Sequence, residues 1–340
     1  MDQSGGAGQL ERLRASGVAA RHDAADVAGN PAAVAALIEF RNVGHTYRSL
    51  FGRTVRAVDN FSLTIRESEV FGLAGPNGAG KSTLISLLLG YLEPTDGAIS
   101  IAGLTPREFV ERHGIGYLSE LIAIPPRWSL EHALQRYAIL AGIPSEQRRA
   151  RTETVIGLLG LDEQRGKRVK QLSKGNLQRL GLAQALLREE QIIILDEPTH
   201  GLDPVWTQRF RDVVEALRRP GRTIFIASHN LDELQRLADR VAIIDGGQLQ
   251  RVVEPRATRG SIAPYVLSVV GDEAIVRAVF PSARPRGDGG GTDGEYELPA
   301  LDLATLNAGV AALLQRGVLL SSLRPAHSLL EQHFREAVGE

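Results

Sequence analysis

The 340-residue chain contains no cysteine. That excludes disulfides, thiolate metal sites and a cysteine nucleophile, and it suits a reducing compartment. No apolar run approaches the roughly 18 residues of a membrane span, and the start, MDQSGGAGQLERLR, lacks the apolar core of a signal peptide. An excess of one charge sign is missing too. The 39 Lys and Arg against 40 Asp and Glu leave a net charge of -1, so no global field draws nucleic acid or anionic lipid. With 43% hydrophobic and 23% charged residues, the chain reads as a cytoplasmic globular protein of one large or two smaller domains.

The most informative stretch, VFGLAGPNGAGKSTLISLL, spans 70–88. Its first five residues form an apolar run with the character of a buried strand. Gly75-Pro76-Asn77-Gly78-Ala79-Gly80-Lys81-Ser82-Thr83 then fits G-x-x-x-x-G-K-[ST], and a helix begins in the leucines that follow. Strand, glycine loop and helix in that order predict a phosphate-binding loop. Glycines let backbone N–H groups approach a polyphosphate, and the helix N-terminus adds partial positive charge at the same place. Lys81 supplies a point charge for β- and γ-phosphates, and Ser82 a hydroxyl for Mg²⁺. A glycine-rich turn beside a stray lysine is the bland alternative, and the flanking strand and helix oppose it.

Elsewhere the pattern is mixed. Residues 1–36, rich in Ala, Gly and Asp, read as a disordered leader. From 38 to 65 the chain is β-rich. Tyr47 there can stack on an adenine ring, although taken alone it is more simply a sheet aromatic. Residues 94–97 read as a turn, and 98–101 and 115–118 as strands, the second ending at Ser119-Glu120. Residues 130–160 are helical in pattern and form a block inserted in the nucleotide domain. The run 192–197 is an apolar strand tipped with Asp196 and Glu197. Asp196 can reach Mg²⁺ or its waters, and Glu197 can face a water attacking the γ-phosphate. A further buried strand at 224–228 ends at His229, a position more often structural than catalytic when met alone.

Together these motifs resemble the ATP-binding cassette (ABC) ATPases of ABC transporters, over roughly 37–247. Gly75 to Thr83 is similar to the Walker A loop, and the strand ending in Asp196-Glu197 to Walker B. Leu172-Ser173-Lys174-Gly175-Asn176 resembles the signature usually written LSGGQ. Gly201-Leu202-Asp203-Pro204 resembles the D-loop, Ser228-His229 the switch histidine, and Tyr47 the adenine-stacking aromatic. The resemblance implies an α/β P-loop fold: a mixed β-sheet core, an antiparallel β subdomain and an inserted helical subdomain over 120–180 within a nucleotide-binding domain at 37–250. It implies ATP and Mg²⁺ as ligands, with Ser82, Asp196 and Glu120 toward the metal and Glu197 and His229 catalytic.

It also implies two cassettes paired head to tail, as a homodimer or with a similar chain. Ser173, Gly175 and Asp203 would then lie toward the partner's nucleotide. A separate transmembrane permease would hold the protein on the cytoplasmic face of the cell membrane, and no nucleic-acid partner is expected. Two motifs depart from the family. Lys174 and Asn176 stand where Gly and Gln are usual, and Glu120 stands where the Q-loop has glutamine. Both departures resemble drug-, antibiotic- and polysaccharide-type exporters. A soluble non-transport cassette of the assembly or repair type is the alternative. Residues 262–340 read as a C-terminal α+β region, with strands near 265–270, 296–298 and 318–323 and helices near 272–280, 301–317 and 328–339. A flexible turn is expected over 283–294.

Overall fold

A computed structural model describes residues 36–49, 52, 54–255, 263–286, 293–326 and 329–339. The leader read over 1–36 lies outside the described residues except for Ala36, which opens the first strand. The chain divides into two compact units, Met1–Val253 and Glu254–Glu340.

In the first unit, β1 (Ala36–Arg48), β2 (Thr54–Arg66) and β4 (Asp96–Ile101) make an antiparallel sheet of order β2-β1-β4. The turn read over 94–97 is shorter than expected, because Asp96 already pairs with Gly44. The second sheet has six strands in the order β5-β6-β7-β3-β8-β9. These are β3 (Val70–Ala74), β5 (Gly116–Leu118), β6 (Ile192–Asp196), β7 (Thr223–Ala227), β8 (Arg240–Asp245) and β9 (Gln248–Val253). β5, β6, β7, β3 and β8 are parallel, and β9 is antiparallel. Strands β3, β6 and β7 are buried at every residue. That is why their sequences, VFGLA, IIILD and TIFIA, run apolar without alternation.

The helices close the core. α1 (Lys81–Leu88) buries Leu84, Ile85, Leu87 and Leu88 in the cluster that also holds Phe40, Phe61, Phe71 and Phe225. α2 (Pro106–His113) starts in a capping box between Thr105 and Glu108. The inserted helical block comprises α3 (Leu130–Leu140), α4 (Ser145–Leu158) and α5 (Lys174–Ala185). Ser129 and Ser173 cap α3 and α5, accepting from His132 N–H and Asn176 N–H at 3.2 Å each. α6 (Pro204–Leu217) and α7 (Leu231–Leu237) follow β6 and β7.

The second unit runs β10 (Ala263–Val270), α8 (Glu273–Val279), β11 (Arg284–Pro285), β12 (Asp293–Leu301), α9 (Leu303–Gln315), β13 (Leu319–Pro325) and α10 (Leu329–Val338). Its antiparallel sheet has the order β11-β12-β10-β13. The β-α-β-β-α-β succession with this order is a split-βαβ, ferredoxin-like arrangement. Leu267, Val269, Val276, Phe280, Leu298, Leu306 and Leu313 form its core. The strand expected at 296–298 is longer than YEL suggested. Half of the turn expected at 283–294 lies outside the described residues, and of the rest Arg284–Pro285 and 293–294 belong to β11 and β12.

Candidate active site

Parallel strands deliver the candidate residues to one edge of the sheet, the edge where ligands bind in open α/β sheets. β3 leads into the glycine loop, β5 into Ser119 and Glu120, β6 ends in Asp196 before Glu197, and β7 leads into Ser228 and His229.

The glycine loop is built for close approach. A Cβ on Gly75 would lie 2.5 Å from the Ile244 carbonyl oxygen. Gly80 has φ +105°, and a Cβ there would lie 2.6 Å from the Ala57 carbonyl oxygen, so both positions need glycine. Gly80 precedes α1 without a side-chain cap, and no acidic residue sits in the helix's first turn. The N-terminal N–H groups of α1 therefore keep their capacity for an anion. Lys81 is buried, and its Nζ donates to the Gly75 and Pro76 carbonyls at 2.6 and 3.1 Å. Burial pushes the ammonium below its ordinary range, while Glu197, Asp196 and Glu120 pull it back up.

Three carboxylates face that lysine. Asp196 is buried, and its pKa is pushed up to about 6 by burial first, then by Glu120 and Glu197, with Lys81 opposing. Glu120 is exposed. Glu197 is buried and held on every side. Oε2 lies 3.1 Å from the donating Ser228 Oγ and 2.8 Å from His229 Nδ1, and Oε1 accepts from His229 N–H at 3.0 Å. Its backbone is left-handed, with φ +48°, a strained conformation that clusters at functional sites.

Tyr47 lies on β1 with 43% of its surface exposed. Its hydroxyl is 3.3 Å from Thr83 Oγ1, and its ring meets His45 edge-on. This places an aromatic beside the phosphate loop with ring surface to spare. Ser173 and Asp203 cap their own helices, Asp203 accepting from Trp206 N–H at 3.0 Å. Gly175 lies in the first turn of α5, close to the Gly201 carbonyl.

Sequence reasoning missed several contributors. Ser228 touches Glu197 directly, Gln178 bonds the Glu197 and Pro198 carbonyls, and His200 pairs with Lys174 at 3.3 Å. The amphipathic start of α5 gave no signal that Gln178 faces inward. Ser228 stands in the Ser228-His229 pair of the sequence, and what the sequence did not show is its contact with Glu197.

The residues present fit a nucleoside triphosphate with a divalent cation. The loop cradle, which a Cβ would fill, and the uncapped helix N-terminus suit phosphate. Asp196, a buried carboxylate at the end of β6 on the same sheet edge as the loop, suits a cation shared with the Ser82 hydroxyl. A glycine loop after β3 and an acidic pair after β6, with β7 between them in the sheet, defines a P-loop nucleoside triphosphatase.

Comparison narrows the class. Residues 58–200 match the ABC transporter family. The chain is 40% identical over 212 residues to an uncharacterized ABC transporter ATP-binding protein of Nostoc, covering 60% of this chain and 62% of that protein. It is 32% identical over 241 residues to the Nod factor export ATP-binding protein I of Cupriavidus metallidurans, covering 70% of this chain and 78% of that one. Among solved structures, a dimeric ATP-binding cassette in a post-hydrolysis state bound to ADP and Pi superposes with a TM-score of 0.59 at 23% identity, covering 64% of this chain and 99% of that one. The chain belongs to the ABC transporter ATP-binding proteins.

Proposed function

We propose that the chain is the ATP-hydrolysing subunit of an exporter, acting as a dimer on a separate membrane subunit. The observation that carries this reading is the convergence of Lys81, Asp196 and Glu197 at one sheet edge, with Glu197 held by Ser228 and His229.

In this reading the loop amides and Lys81 bind the β- and γ-phosphates. Lys81 exchanges its two carbonyl partners for phosphate oxygens. Ser82 and Asp196 would hold Mg²⁺, with Glu120 beside them, and charge on the phosphates would be neutralised by the bound metal. Glu197 takes a proton from the attacking water as general base. His229, whose Nδ1 touches Glu197 Oε2, orients the carboxylate and the γ-phosphate. Tyr47 stacks on the base of the nucleotide.

Ser173, Gly175 and Asp203 serve the nucleotide of a second cassette, identical or similar, in a head-to-tail pair. Tyr91 and Leu121, 71% and 82% exposed, support a membrane partner. Both flank the Tyr117 and Glu120 region, where burial first, and then Asp196, Tyr91 and Glu120, push the Tyr117 hydroxyl up against a hydrogen bond with Ser119. Exposed apolar side chains beside a catalytic centre suit a protein contact. No described helix is long and apolar enough to cross a membrane, so the spanning part is assigned to another chain, and this one to the cytoplasmic face. The Nod factor relative, an export ATP-binding protein by name, supports export.

Steady-state ATP hydrolysis tests the proposal. Glu197→Gln should lower turnover by roughly 10²–10⁴-fold, the contribution of a general base. Parental turnover in that variant would remove Glu197 from the chemistry.

A further inference from the structure

Gln178 is a buried polar side chain on the signature helix α5, 5% exposed. Its Nε2 lies 3.1 Å from the Glu197 carbonyl oxygen and 3.2 Å from that of Pro198. Carbonyls only accept, so both contacts need the NH₂ end of the amide, and both of its hydrogens are used. The orientation of Gln178 therefore follows from its neighbours.

What it holds is strained. Glu197 has φ +48°, a left-handed conformation that is unfavourable for a residue with a Cβ. The conformation persists because the peptide is tied down. Glu197 N–H donates to the Ala227 carbonyl at 2.9 Å, and the Glu197 carbonyl also accepts from His200 N–H at 3.1 Å. The twist aims the Glu197 carboxylate at the end of β7, where Ser228 and His229 meet it. Removing the amide would leave the Pro198 carbonyl without its donor and the Glu197 carbonyl with His200 N–H alone, and would free the twisted peptide to relax, carrying the carboxylate with it. A second contact closes the same seam at the surface, between Lys174 Nζ and His200 Nε2 at 3.3 Å.

We propose that Gln178 is a positioning residue for ATP hydrolysis, fixing the backbone of Glu197 from the signature helix of the same subunit. This rests on Glu197 being the general base. Gln178 spends both amide hydrogens on backbone carbonyls, so its effect should appear in the chemical step and not in nucleotide binding.

The test compares Gln178→Met, which keeps length and loses the donors, Gln178→Glu, which sets an acceptor against two acceptors, and Gln178→Lys, which restores a donor. Gln178→Met should lower kcat about 10–100-fold, the scale of a 1 Å misplacement, with the ATP dissociation constant unchanged by calorimetry. Gln178→Glu should fall further, and Gln178→Lys should recover part of the loss. In a Glu197→Gln background, single-turnover hydrolysis should show no additional loss from Gln178→Met. Should Gln178→Met not fold, the Gln178→Lys and Gln178→Glu pair carries the comparison, and equal turnover in the two overturns the proposal. An additive loss in the Glu197→Gln background also overturns it while leaving Glu197 as base. Parental turnover in Glu197→Gln alone overturns both.

Discussion

The unit ending at Val253 takes Lys81, Gln178, Asp196, Glu197 and Ser228 out of water, whereas the described side chains buried in the unit from Glu254 are apolar or, at Tyr296, aromatic. Among the described residues, the strained non-glycine positions, Asn42, Asn60, Ser68, Ala102 and Glu197, also fall in the first unit. The second unit keeps its charges in surface pairs such as Arg277–Glu273 and Arg324–Glu295, which contribute little to stability. Burying a charge is unfavourable unless partners or a ligand compensate. The first unit is thus organised for chemistry at some expense in stability, and the second is organised for packing.

The largest break in this contrast should come at Lys81. Lys81→Ala removes charge-assisted phosphate contacts worth roughly 1.5–3 kcal/mol each, so calorimetry should show ATP binding abolished. Unchanged affinity would refute the assignment of the loop. Phe280→Ala asks the reciprocal question in the second unit, where the Phe280 ring presses on Gly309 inside the core. It should cost about 3–5 kcal/mol of that unit's stability, seen as faster hydrogen exchange over α8 and α9, with ATP affinity unchanged. Weaker ATP binding in that variant would show that the two units are not independent in function.

A smaller effect concerns pH. Asp196 has a folded pKa of about 6 against an ordinary 3.8. A carboxylate raised in the folded state destabilises the fold above its folded pKa, and the penalty disappears below the unfolded value. In protein free of nucleotide and metal, Asp196→Asn should therefore be more stable than the parent at pH 7.5, by on the order of 2–3 kcal/mol, and no more stable at pH 3.5. Glu120→Gln, which removes one neighbouring negative charge, should show the same sign with a smaller gain, together with an altered Mg²⁺ dependence of turnover. Parallel melting curves for parent and variants across this range would count against the carboxylate cluster. The smallest effect is expected from a chain ending at Val253, which should bind ATP as the full chain does if it stays soluble.

Legibility in the sequence followed the same division of labour. β3, β6 and β7 were readable because wholly buried strands write themselves as apolar runs, and the glycine loop because its spacing is dictated by phosphate. β8, whose RVAIID pairs beside β3, and β9 were passed over, as were α2, α6 and α7. β8 is short and follows a helix without a strong turn signal, and β9 carries polar residues on its exposed positions. At the site, Lys81, Asp196, Glu197 and the Ser228-His229 pair stand in motifs, but the contacts that fix Glu197 are not written in them. Gln178 and Ser228 lie 19 and 31 residues from it in sequence, and only the fold of the sheet and α5 brings them together.

The central claim is that Glu197 cleaves ATP that the loop holds between two cassettes. Light scattering of the Glu197→Gln protein with ATP and Mg²⁺ tests it most directly. Binding should survive through Lys81 and the loop amides while cleavage stalls, so the protein should shift from monomer to stable dimer, and the added substitution Ser173→Arg should abolish that shift by filling the phosphate site of the partner. A Glu197→Gln protein that stays monomeric at saturating ATP while hydrolysing it at the parental rate would contradict the account.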